Sequence, residues 1–68
     1  MVRLPVVLTP GEDGYVVAEC PTLPGCISQG KAEDEALRNI REAIMGWLEA
    51  ESEKVQREAE APVRLVEV

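Results

Sequence analysis

The sequence predicts an α+β domain, a small sheet carrying one helix on one face. Three observations carry that expectation. Apolar residues near the start alternate with a period of two. Those between Ala36 and Leu48 recur at three- and four-residue steps. A β-branched run follows Pro62. The expected order is β-β-β-α-β.

The first strand is read over Val2 to Leu8, with Val2, Leu4, Val6 and Leu8 on one face and Arg3, Pro5 and Val7 on the other. Pro5 cannot donate to a ladder, so it must fall at an edge, a bulge or a position with no neighbour on its nitrogen. Pro10-Gly11-Glu12-Asp13-Gly14 is dense in turn formers, and Asp13-Gly14 is a hairpin signal. Tyr15 to Cys20 reads as the second strand, antiparallel to the first. Pro24-Gly25 suits a type II turn, proline presetting the first φ and glycine accepting a positive second one. Cys26 to Gln29 is a short third strand, ended by Gly30.

From Ala32 the period becomes helical. Leu37, Ile40, Ile44, Trp47 and Leu48 mark one face, with Ala36 and Ala43 beside them. Glu33, Asp34 and Glu35 meet the positive end of the helix dipole. Lys31-Ala32 stands where a capping Ser or Thr is preferred. Gly46 weakens the helix and is expected to permit close packing near Trp47. Beyond Leu48 the charges multiply, and Glu49 to Glu60 is either a solvated extension or part of an oligomer seam. Pro62 ends the helix, and Val63 to Val68 is expected to be a covered fourth strand, parallel to an earlier one after a right-handed crossover.

Composition limits function. The chain has 68 residues, 7 basic and 13 acidic, for a net charge of −6, and no histidine. That length is expected to form one domain, residues 1–68. A domain of this size buries only about 60% of its unfolded surface, which favours self-association. The missing histidine removes the usual general base and the commonest metal ligand. The acidic balance argues against nucleic-acid binding, which draws on clustered Lys and Arg. No apolar run approaches the ~20 residues that span a bilayer, and no secretory signal is visible, so a cytoplasmic protein is expected. Cys20 and Cys26 match neither a CxxC pair nor a zinc half-site, and are read as reduced, partly buried thiols.

Gly14-Tyr15-Val16-Val17, then Cys20-Pro21-Thr22-Leu23-Pro24-Gly25-Cys26-Ile27-Ser28-Gln29-Gly30, resembles the core signature of HicB-like antitoxins. Glu35-Ala36-Leu37-Arg38-Asn39-Ile40-Arg41-Glu42-Ala43-Ile44, with Trp47-Leu48, resembles the helix of the same family. The resemblance runs from about Asp13 to Glu49. It implies a partial RNase H-like fold, a tendency to form dimers or larger oligomers, and a partner, the small basic RNA-cleaving toxin HicA. Many members of the family also carry a C-terminal DNA-binding segment, which is not expected in this chain. Ala32 replaces the threonine usual at the helix start. The motif residues Tyr15, Leu23, Pro24, Gly25, Cys26, Gly30, Ala36, Asn39, Ala43 and Trp47 are expected to serve the structure.

An RNase H-like fold raises metal-dependent phosphodiester cleavage, which uses carboxylates around two Mg²⁺ ions, one of them on the first strand. This first strand carries neither Asp nor Glu. Glu35, Glu42 and Glu67 alone do not assemble the cluster, so no catalytic residue, metal or cofactor is assigned. Asn39 is expected to bond loop backbone, for example around Leu23 to Cys26. Trp47 is expected to be a core or interface anchor. The expected function is binding and occlusion of a HicA-type toxin, with Glu12, Asp13 and Glu19 as candidate contacts for its basic surface and charge speeding the encounter. The competing reading is an oligomeric interaction or ligand-binding module with no toxin partner. Neither membrane nor direct nucleic-acid contact is expected.

Overall fold

The computed structural model describes residues 2–67. Three strands, β1 (Val7–Pro10), β2 (Val16–Glu19) and β3 (Ile27–Gly30), precede one long helix, α1 (Glu33–Glu58). The sheet is antiparallel throughout, in the order β1-β2-β3. Register aligns Val7 with Glu19 and Glu19 with Ile27, and likewise Thr9 with Val17 and Val17 with Gln29. The α+β class and the single helix on one face are as the sequence predicts.

Backbone bonding fixes which way each strand residue faces. The Cys20 N–H donates to the Cys26 carbonyl at 3.0 Å. By the alternation of an antiparallel ladder, Val16 and Ala18 then also bond toward β3, while Val17 and Glu19 bond toward β1. Leu8 and Pro10 consequently direct their main-chain groups outward from the β1 edge. Pro10 thus sits where its missing N–H costs no ladder bond. Residues 2–6 run past the end of β2, which accommodates Pro5. The strand is therefore shorter at its start than the alternation indicates, although Leu4, Val6 and Leu8 still pack toward the core.

Both turns follow their residues. Asp13 has φ 56° and Gly14 φ 79°, and the Tyr15 N–H donates to the Glu12 carbonyl at 3.0 Å. Two successive positive φ values are the type I′ arrangement that Asp-Gly favours, matching the twist of the flanking strands. Gly25 also has φ 79°, with the Cys26 N–H donating to the Leu23 carbonyl at 3.0 Å, as a Pro-Gly type II turn requires.

The buried core is small and aliphatic: Ala18, Cys20, Leu23, Cys26, Ala36 and Ile40. Leu4, Val6, Leu8, Val16, Ala43, Ile44 and Trp47 pack around it. The face of α1 that meets the sheet is Ala36, Ile40, Ala43, Ile44 and Trp47. Leu37 and Leu48, expected on that face, are instead 41% and 45% exposed, because the helix is turned so that the smaller alanines approach the strands. Gly30 explains how close that approach is. A Cβ built there would lie 2.5 Å from the Ala36 nitrogen, so only glycine fits between β3 and the first turn of α1. Gly46 has no such role: a Cβ there meets nothing within 4 Å, and the close packing expected of it is absent.

The fourth strand does not form among the described residues. Val63 to Glu67 have no ladder partner, and Leu65 and Val66 are 79% and 81% exposed rather than covered. The reason is length. A helix of 26 residues runs about 39 Å at 1.5 Å per residue, while four-residue strands span only about 13 Å. The helix carries the chain past the sheet and ends at Glu58, before the stop expected of Pro62 is reached. Residues 63–65 then lie beside residues 48–56, bounding a shallow groove.

Candidate functional site

The motif from Cys20 to Gly30 folds as two linked turns. The Leu23 N–H donates to the Cys20 carbonyl and the Cys26 N–H to the Leu23 carbonyl, each at 3.0 Å. This double turn points Leu23 into the core and leaves Pro24 and Gly25 exposed. Trp47 holds it in place. Its indole Nε1–H donates to the Pro24 carbonyl at 2.9 Å. The loop anchor that the sequence assigns to Asn39 is thus supplied by Trp47. Asn39 makes a backbone bond of the expected kind to a different partner: its Nδ2 donates to the Gln29 carbonyl at 2.8 Å. Gln29 directs that carbonyl away from β2, so Asn39 occupies part of the open edge of β3. An edge bonded to its own helix is less available to another strand.

Cys20 and Cys26 face each other just beyond the paired ends of β2 and β3, free and buried. Burial raises the Cys26 thiol above its ordinary value of 9.0, and nearby Cys20 raises it further. A buried neutral thiol is a poor nucleophile and a poor metal ligand. Among the described residues, no group of three His, Cys, Asp or Glu could hold a metal ion. Of the motif residues, Leu23, Cys26, Gly30 and Ala36 are buried, Ala43 and Trp47 pack against that core, Pro24 and Gly25 form a turn, and Asn39 and Trp47 bond to backbone.

At the start of α1 the Ala32 side chain offers no cap, as expected. Two neighbouring carboxylates compensate. Glu35 Oε1 accepts the Lys31 N–H at 3.1 Å, and Asp34 Oδ1 accepts the Glu35 N–H at 2.9 Å. Glu33 instead lines a cleft of about 350 Å³, with Leu8, Thr9, Pro10, Gly11, Gly14, Tyr15 and Val16. The cleft exists because α1 lies over β3 and β2 and leaves the helix side of β1 largely uncovered.

The three candidate contact acids are separated. Glu12 and Asp13 are exposed in the hairpin turn beside this cleft. Glu19 is exposed at the opposite end of β2, about 10 Å further along the strand, on the sheet face away from the helix. There it stands between Val7 and Ile27, which are 47% and 57% exposed. The sequence reading missed Glu33 as a cleft residue. Its place in an acidic first turn has a sufficient explanation in the helix dipole, and nothing local shows that β1 is uncovered. It also missed the exposed line Leu37, Leu48 and Val55 on α1, with Met45 beside it. These share the spacing of a buried face, and only the position of the sheet separates the two.

Comparison with known proteins follows the same residues. A family model described as the HicB-like antitoxin of bacterial toxin-antitoxin systems matches residues 4–67. A UPF0150 protein of Thermoplasma acidophilum is 48% identical over 56 residues, covering 78% of this chain and 81% of that one. A UPF0150 protein of Archaeoglobus fulgidus is 43% identical over 47 residues, 69% of this chain and 68% of that one. One from Helicobacter pylori is 54% identical over 48 residues, 66% and 65% of the respective chains. No solved structure matches.

Proposed function

This chain belongs to the HicB-like antitoxin family, and on that premise we propose that it binds a small basic RNA-cleaving toxin of the HicA type and occludes it. The match of the antitoxin family model across residues 4–67 carries the reading. Charge supports it: a chain of net charge −6 attracts a basic RNA-binding protein and orients the encounter. The placement of motif residues in core and turns fits a binding scaffold that performs no chemistry of its own. Glu12 and Asp13, on an exposed and well-defined turn, are the leading contact acids. Glu19 belongs to a second surface. No helix among the described residues is long and apolar enough to cross a membrane, and the proposed site of action is the cytoplasm.

Self-association is the companion proposal. Val7 and Ile27 on the open sheet face, and Leu37, Met45, Leu48, Val55, Leu65 and Val66 along the helix and tail, are large apolar residues left in water. Scattered single residues need no explanation, but lines of them on one element mark contact surfaces. The same observation favours the second reading, an oligomeric module without a toxin.

Affinity capture of the tagged chain from lysate of its own organism, at low and high salt, separates the two. The expected result is a small basic protein in near-stoichiometric amount, which cleaves RNA when freed and stops when the chain is restored. Recovery of the chain alone, as a defined oligomer, overturns the antitoxin assignment.

A further inference from the structure

We infer that the cleft between the β1 edge and the first turn of α1 is a docking pocket for one basic side chain, arginine or lysine, presented by the partner protein. The identity of that partner rests on the antitoxin reading; the chemistry of the pocket does not.

Shape and polarity agree. Leu8, Pro10 and Val16 give the cleft apolar walls, and Glu33 stands on its lining. Lys and Arg are the side chains that need both surfaces, an apolar bed for the methylene stem and an acceptor for the head. Asp34 and Glu35 turn their carboxylates onto backbone N–H groups, which leaves Glu33 as the acid directed to the cleft.

Of the backbone donors around the cleft, one is missing and two are already used. Pro10 has no N–H. The Gly11 N–H is given to the Tyr15 carbonyl at 2.7 Å, and the Tyr15 N–H to the Glu12 carbonyl at 3.0 Å. The Pro10 carbonyl points outward from the β1 edge and is free to accept. A donor-only cation finds the Pro10 carbonyl and the Glu33 carboxylate here, whereas an anion drawn to the outward Leu8 N–H meets the charge of Glu33. The positive end of α1 opens nearby, but it amounts to roughly half a charge, and Glu33, Asp34 and Glu35 outweigh it. Glu12 and Asp13 on the adjoining turn add to the negative potential at the mouth.

The test is a titration of the isotope-labelled full chain, followed by NMR, with a capped Ala-Arg-Ala peptide and its citrulline counterpart. Citrulline keeps the shape and loses the charge. The expected result is saturable shifts at the amides of Gly11, Gly14, Val16 and Glu33 with the arginine peptide, and none that saturate with citrulline. Glu33→Gln should weaken binding about threefold to fivefold, the range of an exposed ion pair. Glu58→Gln, at the far end of the helix, should leave it unchanged. Equal response to citrulline, shifts spread along the acidic stretch 49–60, or no saturation at millimolar peptide each overturns the pocket. Toxin capture by the Glu33→Gln chain separates the two proposals. Capture at unchanged affinity, with the peptide failing, removes the pocket and keeps the antitoxin. Saturating peptide binding with no toxin captured by the parent chain does the reverse.

Discussion

The first half of α1 and the second half are the same helix in different surroundings. Ala36 and Ile40 lie buried against the strands, with Ala43, Ile44 and Trp47 packed around them. Beyond Trp47 no described residue of the helix or the tail is buried, although Leu48, Val55, Val63, Leu65 and Val66 are as apolar as anything in the core. The difference lies in what is available to pack against. The sheet is about 10 Å wide and 13 Å long, and the molecule extends 48 Å along its longest axis. Apolar periodicity makes a helix amphipathic, but burial needs a second surface within reach.

Substitutions can sharpen that contrast. The largest effect is expected at Ile40, which is only 2% exposed. Ile40→Ala should cost about 2–5 kcal/mol, enough to unfold a marginal small domain, while Val55→Ala should stay within about 0.5 kcal/mol in the monomer. Denaturant unfolding of both at low protein concentration measures the difference, and equal losses would break the comparison. Gly30→Ala comes next. Its new Cβ would meet the α1 backbone, and overpacking of this kind costs about 1–3 kcal/mol. A melting temperature equal to that of the parent chain would show that β3 and α1 can separate freely.

Trp47→Phe keeps a ring and removes the bond to Pro24, at a cost of about 1 kcal/mol. Faster hydrogen exchange at the Leu23 and Cys26 amides should report the loosened turn. Gly46→Ala should stabilise the chain by nearly the same amount, about 0.8–1 kcal/mol, because nothing opposes the added methyl. A loss of stability there would mean that another surface covers this side of the helix. The titration of Cys26 should have the smallest effect, none at neutral pH. Its folded-state value is raised, so its contribution is fully present below the ordinary value of 9.0 and is lost as pH rises through the folded value. Stability should be level through neutrality and fall in alkali, and Cys26→Ala should flatten that fall.

The hairpin was legible because Asp13-Gly14 and Pro24-Gly25 specify their own φ values. Leu4, Val6 and Leu8 were legible as inward residues because alternation needs no neighbour to be read, but Val2, expected with them, is 67% exposed. The first strand's boundaries were not legible, since pairing stops where β2 ends. Asn39 could be read as a bond donor to backbone, but its acceptor depends on how α1 crosses β3. Glu12 and Asp13 shared one turn in the sequence and share it in space. Glu19 looked equivalent by charge, yet lies at the far end of β2 on the opposite side of the sheet from the helix.

The sequence by itself determined the three strands, both tight turns, the long helix and the family, since each depends on neighbours along the chain or on a contiguous motif. The tertiary structure decided which apolar residues are buried, why Gly30 must be glycine, that Trp47 ties down the Pro24 turn, and that residues 63–67 pair with no strand. Those outcomes depend on distances between segments far apart in the chain. A 26-residue helix laid across four-residue strands leaves the rest of its apolar surface facing water.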